Sequence, residues 1–316
     1  MTVGLPAGYR QRPVDPAHDL DAVVALFDAA DMADVGFIDP SRDVLRGDWA
    51  APRTDPARDT ALVLTSAGAV AGYAAIEAIH AREAQDAFLR VHPDHRETGI
   101  GAALLAWAEG RARERLEPGD RCRFAPNIAA TDERSVQDLA EAGFERVRTF
   151  WHMERLVTPG LAEPGLPPGI EVRPYREEHD GPELHRVIEA SFAEHFGWEP
   201  TSYEEYRAFE MDGPLWDPTL VTFAVADGAI AGVITANRNG DVGWIGELGV
   251  MPQQRGRGIG AALLGLAFSQ LAARGLSAVR LNVDAGNETG ATRLYERVGM
   301  RVRRAWLMYE KELAAD

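Results

Sequence analysis

Hydrophobic residues recur along this chain in two rhythms, and the same order of rhythms occurs twice. A spacing of three to four residues predicts a helix at about Asp19–Ala30 and again at about Gly181–Phe192. Apolar strands joined by turn residues follow each helix, with turns at Ser66–Gly68 and at Asp227–Gly228. Each half then continues with helix, strand, helix and strand. We therefore predict an α/β fold (an α+β mixed sheet) in which each half forms a mostly antiparallel central sheet flanked by helices.

The repetition of this order indicates a duplicated domain. Arg96 and Arg255 occupy matching loops 159 residues apart (255 − 96), and Gly143 and Gly299 end matching helices 156 residues apart (299 − 143). Between the halves, the prolines and glycines of VTPGLAEPGLPPG predict a semi-stiff linker. The predicted organisation is an N-terminal domain, a linker and a C-terminal domain at residues 1–156, 157–169 and 170–316.

The most informative stretch is ELGVMPQQRGRGIGAALL, Glu247–Leu264. It predicts a short strand, a turn closed by Pro252, a glycine-rich loop with two arginines, and a helix that begins near Ile259. The loop glycines allow the backbone to present successive N–H groups, and the helix N-terminus adds the positive end of its dipole. This construction favours binding of a phosphorylated anion, in particular a pyrophosphate.

An earlier stretch, FLRVHPDHRETGIGAALL at Phe88–Leu105, repeats the design. Both stretches fit V-x-P-x-x-R-x-x-G-x-G-A-A-L-L, starting from Val91 and from Val250. This pattern resembles the acetyl-CoA-binding motif of the GCN5-related N-acetyltransferases, the GNAT family. Over almost its whole length the chain resembles a tandem of two such domains, and its second half is loosely similar to the mycothiol-synthase group.

The resemblance implies acetyl-CoA as co-substrate, and the spacing of the histidines leads us to expect no metal. The resemblance further implies transfer of an acetyl or another short acyl group to a primary amine of a small molecule, by direct attack in a ternary complex. In the family, backbone amides of the motif strand face the thioester, which puts the polarising amide near Val250 or Gly249. The cofactor-binding residues implied by position are Leu248, Gly249, Val250, Arg255, Gly256, Arg257, Gly258, Ile259, Gly260 and Asn287 in the second half, with Val91, Arg96, Gly99 and Gly101 in the first.

A catalytic acid is implied by NETGATRLYERVGM, which resembles the family segment N-x-x-x-A-x-x-x-Y-x-x-x-G-F. Tyr295 stands at the tyrosine of that segment, four residues before Gly299, and its phenol is expected to protonate the departing thiolate. Asn287 begins the segment and is expected to cap the following helix and to contact the pantetheine arm or an ordered water.

The general base is the least specified part of the site. Glu247 lies three residues before Val250, on the same strand face as Gly249, where a partly desolvated carboxylate would have a raised pKa. The carboxylate that mycothiol synthases carry on this strand falls at Trp244 here. A solvated Glu247, a water relay and His195 stay open as alternatives.

The first half departs from the family at two of these positions. Leu139 stands where the second half has Tyr295, and Phe88 stands where it has Glu247. We therefore predict that catalysis belongs to the second half, and that the first half binds the cofactor weakly or serves as scaffold.

Acceptor specificity is expected in the segment after the second half's first helix, where aromatic residues alternate with carboxylates. Such a wall suits an ammonium-bearing acceptor, although helical aromatics also serve as core. The aromatic residues are Phe192, Phe196, Trp198, Tyr203, Tyr206, Phe209 and Trp216, and the acids are Glu204, Glu205, Glu210 and Asp212.

Composition narrows the class of partner. The formal net charge of −16, with no basic cluster outside the two loops, argues against nucleic acid and against an anionic membrane surface. The single cysteine, Cys122, excludes an intrachain disulfide and is expected to be buried. The histidines lack metal-ligand spacing. With no signal core and no apolar run of bilayer length, we expect a cytoplasmic protein, either a monomer with internal pseudo-symmetry or a homodimer.

Two other functions stay open from the sequence. Gly258 and Gly260 open a helix after a strand, as in a dinucleotide-binding oxidoreductase, but Leu263 occupies the third glycine position of that fingerprint. A non-catalytic acyl-CoA-binding protein is the second alternative, and the presence of Tyr295 and Glu247 argues against it.

Overall fold

The computed structural model describes residues 4–39, 41–51, 54–77, 84–162, 165–287 and 289–315. His80, Glu288 and the linker residues 163–164 lie outside these ranges. Within them, every helix is too short or too polar to cross a membrane.

The first half of the chain alternates strands and helices in the predicted order and adds two short helices before the hairpin. Its strands are β1 (Tyr9–Arg12), β2 (Thr60–Thr65), β3 (Val70–Glu77), β4 (Ala84–Val91), β5 (Arg121–Ala129) and β6 (Glu145–Leu156). Its helices are α1 (Leu20–Val35), α2 (Arg42–Ala50), α3 (Pro56–Asp59), α4 (Ile100–Glu114) and α5 (Glu133–Glu141).

The second half repeats this order. Its strands are β7 (Ile170–Pro174), β8 (Thr222–Ala226), β9 (Ala229–Asn239), β10 (Val242–Val250), β11 (Ala278–Asp284) and β12 (Arg301–Ala314). Its helices are α6 (Gly181–Phe192), α7 (Tyr203–Tyr206), α8 (Ile259–Ala273) and α9 (Ala291–Arg297), and a π-helical turn at Arg207–Met211 continues α7. The predicted helix start at Ile259 agrees with α8.

By their contacts, the residues form two compact units. The first unit comprises Met1–Phe150 together with Arg304–Asp316, and the second comprises Trp151–Arg303. Each unit thus contains part of one strand from the other half of the sequence: the first takes most of β12, and the second takes the end of β6. The sequence predicts two domains that are each one continuous segment of the chain. It cannot predict the exchange of strands, because a pattern along the chain does not specify with which sheet a final strand pairs.

The first unit has the strand order β1-β2-β3-β4-β5-β12. Among the strands that the structure describes in this unit, only β4 and β5 pair in parallel, whereas β12 pairs antiparallel with β5 from Trp306–Ala129 to Ala314–Arg121. Cys122 of β5 is buried, as predicted. A core on one face includes Leu104 of α4, and a core on the other includes Phe27 of α1.

The second unit has the order β6-β11-β10-β9-β8-β7, in which β10 and β11 form the parallel pair. Helix α8 covers one face of this sheet, since a Cβ on Gly232 of β9 would lie 3.3 Å from Ile259. Helix α6 covers the opposite face, where a Cβ on Gly249 of β10 would lie 2.8 Å from the Ser191 hydroxyl. Strand β10 therefore lies between two helical layers, and its glycines permit their close approach.

Candidate active site

Strand β10 contains a β-bulge at the position of the candidate base. The register with β9 runs regularly to Ile245–Ala236 and resumes at Leu248–Ile234, so Gly246 and Glu247 together oppose Thr235. The Glu247 amide donates to the Thr235 hydroxyl at 2.8 Å and so fixes the bulge. A bulge bends its strand and redirects a side chain, and here the redirected side chain is Glu247.

Strand β10 separates from its parallel neighbour just before the bulge. Its ladder with β11 consists of Gly243–Val279 and Trp244–Arg280, and the described register goes no further. Beyond the bulge, the Met251 amide donates to the Ala231 carbonyl of β9 at 3.0 Å. Hydrogen-bonding residues alternate in an antiparallel ladder, so Gly249 also faces β9. The backbone groups of Leu248 and Val250 therefore face the side from which β11 has diverged.

The glycine-rich loop leads into α8 without a side-chain cap. Gly258 is the N-cap residue, with φ of 82°, a left-handed conformation that favours glycine. The first amides of a helix have no partner within the helix, and the dipole adds positive potential there. Gly260 in the first turn is buried, and a Cβ on it would lie 3.0 Å from Leu294 of α9. The loop, β10 and α9 thus meet at the start of α8.

The two loop arginines differ in their surroundings. Arg255 donates to the Ser191 carbonyl at 3.1 Å and forms an ion pair with Glu194 at 2.7 Å, which ties the loop to α6. Arg257 is exposed and donates to the side chain of Gln254. Gly256, between them, is exposed with φ of 77°. In this structure Arg255 therefore links two elements, while Arg257 faces solvent.

Glu247 lies half-buried beneath α7. The Tyr206 hydroxyl donates to Glu247 Oε2 at 2.6 Å, and Tyr206 is itself buried. Burial, followed by the negative charge of Glu210, raises the pKa of Glu247 to about 8. Burial and the neighbouring Glu247 raise the pKa of Tyr206, which therefore stays protonated as a donor. A carboxylate with such a pKa is suited to accept a proton from an ammonium group near neutral pH.

Tyr295 is buried on α9 within the core of the second unit. Burial raises the pKa of its phenol to about 12, so the group is protonated throughout the physiological range. The Tyr295 hydroxyl makes no hydrogen bond to any of the described residues. The sequence predicts Asn287 as the N-cap of α9, but this prediction is wrong, because Gly290 occupies the N-cap position. Instead, Asn287 accepts from the Thr289 amide at 2.9 Å in the turn before the helix.

His195, the alternative base, lies half-buried after α6, where burial and the charge of Arg255 lower its pKa. Trp244 contacts His152 edge to face, with ring centroids 5.1 Å apart. Among the described residues, no group of three or more histidine, cysteine, aspartate or glutamate side chains is arranged to hold a metal ion.

The first unit has the same loop with different contacts. Val91 is buried, and Gly99 is the N-cap of α4 with φ of 87°. Arg96 forms a bidentate pair with Asp34, at 2.7 and 3.0 Å. A Cβ on Gly101 would lie 2.6 Å from Asp138 Oδ2, so this carboxylate packs against the first turn of α4.

Sequence reasoning did not anticipate two parts of this site. Tyr206 appeared only as one of several aromatic residues, and its bond to Glu247 depends on the fold of α7. The bulge at Gly246 was not predicted, although a glycine within a strand is a recognised signal for one.

Comparisons with known proteins give the family. The family model described as "Acetyltransferase (GNAT) family" matches residues 26–144 and again residues 183–300. A protein named mycothiol acetyltransferase from Kineococcus radiotolerans is 34% identical over 308 residues, covering 93% of this chain and 94% of that protein. One of the same name from Streptomyces griseus is 33% identical over 257 residues, covering 79% of each.

Solved structures agree in fold. A GCN5-related N-acetyltransferase from Sphaerobacter thermophilus matches with a TM-score of 0.84 and 29% identity, over 99% of both chains. A tandem GNAT protein from the clavulanic acid biosynthesis pathway matches with a TM-score of 0.73 over 98% of this chain and 100% of that chain. At 19% identity, this second likeness shows the fold alone. The chain therefore belongs to the acetyltransferase (GNAT) family, and the predictions of a tandem GNAT fold and of an acetyl-transferring enzyme are confirmed.

Proposed function

We propose that the second unit transfers an acetyl or another short acyl group from acyl-CoA to a primary amine of a small molecule, by direct attack in a ternary complex. The observation that carries this proposal is the bulged strand β10, which opens away from β11 while it directs Glu247 toward α7. The alternatives of an oxidoreductase and of a non-catalytic binding protein gain no support from the family.

The residues at the start of α8 fit the donor's diphosphate. The uncapped amides of Ile259 and Gly260 would donate to it, and Gly258 allows the loop its left-handed turn. Gly260 leaves room at a point where a methyl group would press on Leu294. The donor supplies an acyl group activated as a thioester, and the open side of β10 is suited to its pantetheine arm.

Three groups of the chain would then carry the chemistry. Glu247 takes a proton from the ammonium group of the acceptor, which frees the nitrogen lone pair to attack the thioester carbon. The amides of Leu248 or Val250 stabilise the negative charge that grows on the thioester oxygen. As the carbon–sulfur bond breaks, Tyr295 donates its proton to the sulfur. The attacking nitrogen loses its second proton as the amide forms, and this proton restores the phenol, so the products are a neutral amide and a free thiol.

The acceptor is proposed to be a small cationic amine. Once ionised, Glu247 provides negative charge near the point of attack, beside Glu210, and the relatives' name suggests a mycothiol precursor as the first amine to test. Trp244, however, stands where mycothiol synthases carry a carboxylate, so Glu247 takes over the base role in this proposal. A different acceptor is therefore compatible with the same chemistry.

The test is release of free CoA thiol from acetyl-CoA in the presence of a panel of amines, including cysteinyl pseudodisaccharide amines. We expect turnover with at least one amine and a product heavier by one acetyl group in mass spectrometry. Thiol release that is independent of the amine would contradict direct attack. An acid limb of the pH–rate profile that persists in Glu247→Gln would transfer the base role to His195 or to a water relay.

A further inference from the structure

Helix α7, which covers Glu247, is a single turn and depends on its neighbours for its position. The turn is closed locally by a capping box. The Ser202 hydroxyl accepts from the Glu205 amide at 3.2 Å, and the Glu205 carboxylate accepts from the Ser202 amide at 3.1 Å. These bonds shape the turn but do not attach it to the rest of the unit. The loop 193–202, which joins α7 to α6, is therefore where an attachment is needed.

Glu189 of α6 provides this attachment. Its Oε1 accepts from the Thr201 amide at 3.0 Å and from the Thr201 hydroxyl at 3.2 Å, and its Oε2 accepts from Trp198 Nε1 at 3.4 Å. His185, one turn earlier on α6, lies 3.4 Å from Glu189 Oε1 through its Nε2. Hydrogen bonds to a carboxylate are stronger than those between neutral groups. Glu189 therefore holds both ends of residues 198–201 against α6.

The position of Glu189 in the sequence does not favour the helix that carries it. Glu189 lies in the last turn of α6, where a negative charge opposes the helix dipole, and that turn contains no basic residue. The matching residue of the first unit is Asp28, at the same offset as between Arg173 and Arg12 (189 − 28 = 173 − 12). Asp28 accepts no hydrogen bond from any described residue. The attachment is therefore a feature of the second unit.

The segment that Glu189 holds carries the groups that face Glu247. The Tyr206 ring packs against the His185 ring, with centroids 5.2 Å apart, and the Tyr206 hydroxyl donates to Glu247 Oε2 at 2.6 Å. Glu210, in the π-helical turn that continues α7, adds its negative charge. Both titratable groups that act on Glu247 thus belong to the segment whose start is fixed by Glu189.

We infer that Glu189 is a positioning residue for catalysis, which keeps α7 over Glu247 by holding residues 198–201 against α6. This inference rests on the proposed function, in which Glu247 is the base. Without the attachment, α7 is free to move and water reaches the Glu247 carboxylate. Burial is the main cause of the raised pKa of Glu247 and outweighs the bond from Tyr206, which lowers that pKa. Loss of Glu189 should therefore lower the pKa of Glu247, whereas Tyr206→Phe keeps the covering ring and should raise it.

The experiment measures the ionisation of Glu247 without a substrate. The unfolding free energies of a protein and of its Glu247→Gln derivative are compared over a range of pH, and their difference stops changing at the native pKa of Glu247. The comparison is made in wild type and in Glu189→Ala, which places a strong helix former on α6. We expect Glu247 to ionise about one pH unit lower, or more, in Glu189→Ala. His185 is present in both members of each pair, so its own titration cancels.

Two further variants make the measurement specific. Glu189→Gln keeps one acceptor oxygen and should give a smaller shift of the same sign, and it replaces the alanine variant if that variant does not fold. Glu183→Ala is the matched control, because Glu183 also lies on α6 but pairs with Arg186 at 2.7 Å, and it should leave the ionisation of Glu247 unchanged. With an active amine, the acid limb of kcat/KM should move to lower pH in Glu189→Ala and stay in place in Glu183→Ala.

Three results would overturn the inference. These are an unchanged pKa of Glu247 in the Glu189 variants, a shift of this pKa to higher values, and an equal shift in Glu183→Ala. A general loss of stability would lower the melting temperature without moving the pKa, so it is distinguishable from lost positioning. Because the stability comparison needs no acceptor, it decides the effect of Glu189 on Glu247 even if no amine of the panel is acetylated, a result that would count against the proposed function alone.

Discussion

The parallel strands at the centre of the two units show how one design produces two different clefts. In the first unit, β4 pairs with β5 from Ala84–Arg123 to Phe88–Asn127, and its register with β3 has no irregularity. In the second unit, the equivalent ladder ends at Trp244–Arg280, and the bulge follows. The second pair thus opens three residues earlier than the first, since Phe88 corresponds to Glu247. A bulge bends its strand, which is consistent with the early end of the ladder between β10 and β11.

The glycine-rich loops of the two units differ in the acidic side chains that surround them. In the first unit the buried Asp34 pairs with Arg96, and Asp138 packs against the start of α4. At the position of Asp138, the second unit has the uncharged Leu294. A carboxylate beside the helix N-terminus occupies its positive potential and repels a diphosphate. The first unit has therefore kept the fold of the cradle while its own acids neutralise the charge.

The strand position occupied by Gly249 in the second unit is taken by Arg90 in the first. Its buried guanidinium lies 4.2 Å from the Phe88 ring centroid and 4.4 Å from that of Trp306, and burial lowers its pKa to about 10. Aromatic packing thus fills this part of the first unit, whereas the matching strand of the second unit is bulged beside Glu247. This contrast supports the proposal that catalysis belongs to the second unit.

The sharpest way to break this comparison is to remove the proposed acid. Tyr295→Phe should lower kcat by about 10²–10⁴-fold, the usual contribution of a general acid, in steady-state thiol release with the best amine of the panel. The melting temperature of this variant should hardly change, because the Tyr295 hydroxyl makes no hydrogen bond to any of the described residues. Leu139→Phe, at the matching position of the first unit, is the control. Equal losses in both variants would mean that catalysis does not belong to the second unit.

Donor binding offers the next largest effect. Ala261→Glu inserts a carboxylate into the first turn of α8, which suits a helix but repels a diphosphate. We expect CoA affinity to fall about 10- to 100-fold by calorimetry, with a wild-type stoichiometry of one molecule per chain. Ala102→Glu makes the same change in the first turn of α4 and should leave binding unaltered. Two CoA molecules per chain, or half the stoichiometry in Ala102→Glu, would show that the first cradle is also in use.

Some parts of the fold and of the candidate site can be predicted from short stretches of sequence, and others depend on contacts between distant segments. Helix α8, its glycine loop and the position of Tyr295 follow from local spacing, because loop and helix start are encoded within a few residues. The exchange of final strands and the Tyr206–Glu247 bond depend on contacts between distant segments, 41 residues apart in the latter case. Asn287 failed as a cap because Gly290 begins the helix instead, a local choice that motif matching does not resolve.

The pH dependence of catalysis tests the environment of Glu247, which has no counterpart at Phe88. A base must be ionised, so kcat/KM should rise with pH through the pKa of about 8. Glu210→Gln removes a neighbouring negative charge, lowers that pKa and should shift the acid limb to lower pH. Tyr206→Phe removes a donor to the carboxylate, raises the pKa and should shift the limb to higher pH. The substrate's own ionisation is common to all variants, so shifts of the same sign would contradict these assignments.

The smallest effect concerns stability, and it separates a functional carboxylate from a structural one. Burial raises the pKa of Glu247 from 4.5 to about 8, so native protein holds this proton between those values while the unfolded chain releases it. The unfolding free energy therefore falls as pH rises from about 4.5 to 8, and the penalty is complete above pH 8. Glu247→Gln cannot ionise and should be more stable than wild type at pH 9, by about 1–2 kcal/mol for a half-buried group, or a few degrees in Tm. At pH 4 the two proteins should melt together, and Glu204→Gln, an exposed control, should show no such dependence. If Glu247→Gln is instead destabilised at pH 9, the ionised carboxylate stabilises the fold. The burial of Glu247 would then have a structural role, and the contrast with Phe88 in the first unit would not identify a catalytic base.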